Sequence, residues 1–271
     1  LVEIGDGFRI PELLESIGAR LREVGTTNRV RVDDYAEVIG ANTGFVLKVH
    51  PSNFVVSGFT SSVPVADLAQ LPAPVIADIG SGLLQRHPRL PDEPNAADAL
   101  RAGAALVTAS GDKLLGGPQC GLMLGRADVV RRLRQFPLAR AMRVDKLTLA
   151  ALEATLTGPT PPVRAALERD VEYLFTRAKT LCAELADVVH TEPVRCVAAV
   201  GGGGAPGVEL PSAAVALPAD LAPRLRDGNP AVMGRVSGGR LLLDLLAVEP
   251  ADDQVVLDAV RRALGADTQQ S

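Results

Sequence analysis

The sequence predicts an α/β protein: a large domain built on a mostly parallel sheet, then a smaller α+β domain. Three observations carry this. Apolar runs of strand length alternate with helical stretches of about ten residues through the first half of the chain. A proline-rich break, "GPTPP", follows at 158–162. Beyond it, strand-like runs dominate, with a Gly-Gly hairpin signal in "SGGR". The expected boundary lies near residue 158, giving domains 1–158 and 159–271.

Composition bounds the function classes. The chain has 271 residues and is 47% hydrophobic, enough for a real core. No stretch resembles an apolar membrane span, so a soluble protein is expected. A net charge of −4 argues against the chain as a whole being an electrostatic nucleic-acid binder. Cys120, Cys182 and Cys196 form neither metal spacing nor a disulfide framework. They read as small core residues rather than reactive thiols, in a reducing cytoplasm, and no metal is expected. The opening "LVEIGDGFRI" has no Met, signal or transit peptide, so an N-terminally truncated large domain is expected.

The elements follow in order. "IPELLESIG" (10–18) has helical spacing, and "ARLREVG" (19–25) reads as the next strand. "VDDYAEVIG" (32–40) opens acidic and closes on Gly, as a short helix does. "GFVLKVH" (44–50) is a strand, "PVADLAQL" (64–71) a helix, and "PVIADIGSG" (74–82) a buried strand running into glycines. "EPNAADALRAG" (93–103) is a helix with a Gly stop, and "AALVTAS" (104–110) another buried strand. "CGLMLGR" (120–126) continues as a strand and "ADVVRRLRQF" (127–136) as a helix. "VDKLTLAALEATLTGP" (144–159) carries Leu149, Leu152 and Leu156 on one helix face. In the second domain, 163–186 reads as one long helix. Strands are expected near 194–200, 207–217 and 231–236, then a hairpin into "LLLDLLAV" and a helix over 251–264. "GGGG" (201–204) lacks the strand–Gly–helix context of a phosphate loop and reads as a flexible connector.

The chemistry concentrates in "SGDKLLGGPQCG", residues 110–121, one lysine among four glycines and a proline. A phosphate-cradling loop needs its lysine after the glycines and followed by Ser or Thr. Here Lys113 precedes Gly116 and Gly117, and Leu114 follows it. Two readings stay open: a tight turn with a solvated lysine, or a covalent amine that meets a flat cofactor where glycines let the backbone approach. Asp78 ends the apolar run Val75-Ile76-Ala77, and Ser110, Asp112 and Lys113 end the next. In open α/β sheets such groups converge outside the carboxyl ends of the strands. An acid on one strand end and a lysine two elements later suit pyridoxal phosphate, the acid pairing with the pyridine nitrogen. Read alone, Asp78 is equally a turn former ahead of Gly80.

With "EVGTTNRV" (23–30), "LKVHPSNFVVSGFT" (47–60), "ADIGSGLL" (77–84), "PLARAMRVDKLTLAALEATL" (137–156) and "VGGGGAPGVELP" (200–211), this loop resembles the bacterial selenocysteine synthases. These are L-seryl-tRNA(Sec) selenium transferases, fold-type-I pyridoxal phosphate enzymes. The resemblance runs over essentially the whole chain and is most specific from residue 110 to 121. It implies that Lys113 is the internal-aldimine lysine and the α-proton base, Asp78 the pyridine partner, and Ser110 and His50 cofactor-lining residues. Arg140 and Arg143 match arginines for an anionic selenium donor, which a planar guanidinium grips bidentately. Residues 126–143 hold six arginines against one aspartate, and Arg131, Arg132 and Arg134 read as a solvated flank. Arg29 resembles a substrate-side position near a subunit interface.

The activity implied is conversion of seryl-tRNA(Sec) to selenocysteinyl-tRNA(Sec) with selenophosphate, through β-elimination to an aminoacrylate, in a cytoplasmic homo-oligomer. The family pattern more often has Arg-Thr where this chain has Leu246-Ala247, and its N-terminal region has no counterpart here. The alternatives are a related pyridoxal phosphate lyase acting on a small amino or sugar acid, or an inactive remnant serving in assembly or binding.

Overall fold

A computed structural model describes residue 7, residues 9–201 and residues 203–265. The chain folds into two compact units, Leu1–Pro161 with Val200–Val208, and Pro162–Ala199 with Glu209–Ser271. A single cut near residue 158 does not describe this division, because the segment around the glycine run groups with the first unit.

The first unit carries α1 (Ile10–Ser16), α2 (Val32–Ala36), β1 (Val46–Val49), α3 (Val65–Leu68), β2 (Val75–Gly80), α4 (Ala96–Arg101), β3 (Leu106–Ser110) and β4 (Gly121–Gly125). Helices α5 (Ala127–Gln135), α6 (Pro137–Met142) and α7 (Lys146–Thr157) follow. Its sheet has the order β1-β2-β3-β4, with β1, β2 and β3 parallel and β4 antiparallel to β3. The α/β fold class expected from the sequence is therefore present.

The parallel strands are near-continuous apolar runs because helices cover them. Along β2, Val75, Ala77 and Ile79 are all buried, and Val107 of β3 is fully so. Asn95 caps α4, its side chain accepting the Asp98 N–H at 2.9 Å. The α4 crossover then returns the chain to β3 beside β2. Register pairs Asp78 with Thr108 and Val49 with Asp78, so the ends of β1, β2 and β3 share one edge.

Residues 19–25, expected as a strand, form none. Ala19, Leu21 and Val24 turn partly inward, but no strand among the described residues pairs with them. The nearest pairing is an isolated bridge between Arg29 and Ser61. Without a partner ladder, inward-facing residues do not make a strand.

The second unit carries α8 (Pro162–Glu168), α9 (Val171–Leu185), β5 (Glu192–Ala199), β6 (Glu209–Pro218), α10 (Leu221–Arg226), β7 (Arg235–Ser237), β8 (Arg240–Asp244) and α11 (Asp253–Gly265). Its sheet is antiparallel in the order β5-β6-β8-β7. Gly238 and Gly239, with φ of 56° and 74°, turn the β7–β8 hairpin.

The long helix expected over 163–186 is two helices. Asp170 takes an extended conformation and its side chain accepts the Tyr173 N–H at 3.0 Å, starting α9 afresh. The run "LLLDLLAV" leaves the sheet at Asp244, whose carboxylate caps a short 3-10 turn over Leu245–Ala247. Leu246 is buried, and its carbonyl accepts from the Arg169 guanidinium. Helix α10 has no counterpart among the sequence expectations.

Candidate active site

The parallel β1, β2 and β3 deliver their carboxyl ends to one edge of the sheet, and the β3–β4 connection, residues 111–120, lies at the same edge. This loop is closed by backbone bonds. Gly111 N–H donates to the Cys120 carbonyl at 2.8 Å, and Gly117 N–H to the Gly111 carbonyl at 2.8 Å. Leu114 N–H donates to the Ser81 carbonyl at 2.8 Å, tying the loop to the end of β2, and the Leu114 side chain is buried. Lys113, between these anchors, is half-buried.

Two glycines leave room around its amine. Gly80 ends β2 with φ of 65°, and a Cβ built there would stand 3.0 Å from Ser52 Oγ and 3.9 Å from Lys113 Nζ. Gly203, with φ of 80°, would place a Cβ 3.2 Å from Lys113 Nζ and 3.3 Å from its Cε. Both backbones take the left-handed conformation that side chains disfavour. The glycine run is thus more than a flexible connector: Gly203 faces Lys113, and a Cβ on Gly204 would meet Leu114 Cγ at 2.8 Å.

Asp78 is half-buried on β2, and its Oδ1 accepts the Thr108 hydroxyl of β3 at 3.0 Å. His50 follows β1 directly, its N–H donating to the Asp78 carbonyl at 2.8 Å. Glu93 is 6% exposed. Its Oε2 accepts the Ala205 N–H at 2.9 Å and lies 3.4 Å from His50 Nε2. That last approach is a charge contact when the imidazole is protonated, not an aligned hydrogen bond, since Nε2 has no hydrogen-bond partner among the described residues. Ser81 Oγ and Glu93 Oε1 are likewise buried without one. Burial pushes the Glu93 carboxyl up, but the nearby His50 imidazole and Ser81 hydroxyl, with the Ala205 N–H, outweigh it and hold it below the ordinary range.

The structure thus brings Lys113, Asp78 and His50 to one strand edge, with Ser110 ending β3 beside them. Arg140 on α6, and Arg143 just after it, are exposed, and no hydrogen bond or ion pair among the described residues joins them to Lys113. Arg29 is exposed in a turn that Thr26 closes through the Arg29 carbonyl. Sequence reasoning missed Ser52, Ser81, Glu93 and Gly203. Ser52, inside "LKVHPSNFVVSGFT", Ser81, inside "ADIGSGLL", and the glycine run carried a local signal; Glu93 carried none.

No cluster of His, Cys, Asp and Glu among the described residues could hold a metal ion. No helix among them is long and apolar enough to cross a membrane. Cys182 is buried, with Cys120 and Cys196 half-buried, and burial pushes the Cys182 and Cys196 thiols up, away from reactivity.

Comparison with known proteins adds a family. The family model described as "SelA: L-seryl-tRNA selenium transferase" matches residues 1–249. The L-seryl-tRNA(Sec) selenium transferase of Hyphomonas neptunium (strain ATCC 15444) is 41% identical over 284 residues, covering 97% of this chain and 61% of that protein. That of Escherichia coli O9:H4 (strain HS) is 41% identical over 285 residues, covering 95% and 61%. The chain therefore spans 61% of the length of these curated relatives. The solved structure of D-glucosaminate-6-phosphate ammonia-lyase matches with a TM-score of 0.58 at 18% identity, over 92% of this chain and 65% of that one. At that identity the likeness concerns the fold alone.

Proposed function

We propose, from the premise that the chain belongs to the L-seryl-tRNA selenium transferase family, that its protein converts seryl-tRNA(Sec) to selenocysteinyl-tRNA(Sec) with selenophosphate and pyridoxal phosphate. The single observation that carries this is the placement of Lys113: an amine at the carboxyl edge of a parallel sheet, in space that a Cβ at Gly203 would fill, with Asp78 on the neighbouring strand β2.

The residues present fit pyridoxal phosphate. The glycine-lined clearance suits a flat ring, and the unpartnered Ser81 Oγ and Glu93 Oε1 offer polar atoms beside it. When bound, the pyridoxal ring supplies an electron sink for charge developing at the α-carbon. Lys113 would hold the cofactor covalently and, once displaced by the substrate amine, take the α-proton at Nζ. Asp78 would keep the ring nitrogen protonated, its orientation fixed by the Thr108 hydroxyl. Ser110 and His50 would line the ring. Arg140 and Arg143 would grip the anionic selenium donor after water leaves the seryl β-carbon, and Arg29 would serve the substrate side.

A cytoplasmic homo-oligomer completes the proposal. Leu147 is 84% exposed and Leu149 and Leu156 53% each, with Phe136, Leu138 and Met142 also exposed beside them in the chain. Exposed apolar side chains in this number call for a cover, and a second copy of the chain supplies one. Sedimentation should give an oligomer that dissociates with Leu147→Asp and Leu149→Asp.

The test is absorbance after adding pyridoxal phosphate to the chain, to Lys113→Ala and to the full-length protein. A visible band, absent in the variant and removed by borohydride, is expected, followed by selenium transfer to seryl-tRNA(Sec) in the full-length protein. No band in either unmodified protein would sink the reading.

A further inference from the structure

A buried carboxylate joins the glycine segment that bounds Lys113 to His50, and neither is near it in sequence. We infer that Glu93 is a positioning residue, binding the Gly203–Ala205 segment through one oxygen while presenting its charge to His50. The inference rests on the proposed function in that it concerns how the same lysine end is held.

The geometry is specific. Glu93 Oε2 accepts the Ala205 N–H at 2.9 Å across 112 residues of sequence. Ala205 is 2% exposed, so this N–H has no route to water if the acceptor is lost. Its φ of 46° is the only positive value among the described non-glycine residues. A conformation of that kind persists where surrounding contacts over-determine it. Two residues before it stands Gly203, the backbone a Cβ would bring to 3.2 Å from Lys113 Nζ. Holding Ala205 therefore holds the clearance on one side of the amine.

The same Oε2 lies 3.4 Å from His50 Nε2, and the His50 N–H is bonded to the Asp78 carbonyl at 2.8 Å. Glu93 thus meets the glycine side directly and reaches the strand that carries the acid through His50.

A purely structural tether needs only a neutral acceptor. A charged carboxylate with a side chain 2% exposed, and with Oε1 unpartnered, is a costly way to make one hydrogen bond. The charge has a use if it orients and pairs with the imidazole, which as the cofactor-lining ring must face one way. Glu93→Gln separates the two roles, because an amide oxygen still accepts the Ala205 N–H but carries no charge. Glu93→Met, of similar volume without an acceptor, removes both.

The experiment measures two things on the wild-type chain and both variants: amide exchange at Ala205, and pyridoxal phosphate affinity from the visible band. Ala205 exchange should stay near wild type in Glu93→Gln and rise about tenfold or more in Glu93→Met. Pyridoxal phosphate Kd should rise about tenfold in Glu93→Gln despite the intact tether, and further in Glu93→Met. Unchanged Ala205 protection in Glu93→Met would overturn the tether. Wild-type affinity in Glu93→Gln would overturn the role of the charge. If wild type itself shows no band while Ala205 responds as stated, the cofactor reading fails and the tether stands.

Discussion

Gly203 and Lys113 stand face to face in the first unit: a Cβ on the glycine would lie 3.2 Å from the lysine Nζ, closer than nine in ten real contacts of that kind. The contact joins residues far apart in the chain and makes the glycine run part of the lysine's surroundings. Gly203→Ala should therefore cut the visible pyridoxal phosphate band by about tenfold or more. Its φ of 80° adds a backbone cost of about 1–2 kcal/mol in urea unfolding, which separates strain from lost clearance. An unchanged band would show that the segment moves aside freely.

The Thr108 hydroxyl reaches Asp78 Oδ1 at 3.0 Å from the neighbouring strand. Thr108→Val keeps shape and strand propensity while deleting that bond. It should lower turnover of the full-length protein a few-fold, on the order of 1 kcal/mol, and leave the sheet intact. Asp78→Asn should cost far more, at least about a hundredfold, because in the proposed role it removes the charge that would hold a proton on the ring nitrogen. Steady-state rates of both variants, with circular dichroism as the fold control, check the order.

Arg177 is the charged member of the buried stripe on α9 formed by Leu174, Ala178, Leu181 and Leu185. It forks onto Asp253 at 2.6 and 2.8 Å and donates to the Val248 and Glu249 carbonyls at 2.9 Å each. Removing it with Arg177→Met strands these acceptors and should cost about 3 kcal/mol of unfolding free energy. Asp253→Asn, which keeps a polar partner at a half-open site, should cost less, about 1–2 kcal/mol. Reversal of that order in denaturant titrations would mean the carbonyl contacts contribute little.

The Glu93 carboxyl is held below its ordinary range because the nearby His50, Ser81 and Ala205 N–H outweigh its burial. A carboxyl depressed in the folded state lends stability above its unfolded value, about 4.3, and loses it as pH falls through the folded one. Wild type should therefore lose more stability than Glu93→Gln on acidification below about pH 4.3, with the two curves parallel near neutrality. Urea titrations across that window decide it. Parallel curves throughout would mean that Glu93 is not held charged by the fold.

The parallel strands were legible because burial on both faces leaves an unbroken apolar run, as in Val75–Ala77 and Leu106–Val107. The helices within 93–103 and 144–159 were legible from their apolar spacing and Gly stops, but the capping side chains of Asn95 and Asp145 that start them were not singled out. The break at Asp170 used the same device but lay inside an apolar pattern that reads as continuous helix. The strand expected over 19–25 failed for the opposite reason: its pattern was local, but strand formation needs a neighbour. Lys113 and Asp78 stood out because each ends an apolar run in a glycine-rich setting.

By itself the sequence determined the family, the α/β class, the lysine loop and the acid on the strand before it. Each is written in contiguous residues whose chemistry or spacing is its own signal. Only the tertiary structure decided that Gly203 bounds the lysine amine and that Glu93 holds Ala205 while facing His50. Those relationships join residues separated by as many as 112 positions. A buried glutamate or a glycine carries no mark, in sequence, of which distant backbone it will meet. That is settled when the sheet forms and burial leaves a polar group with one reachable partner.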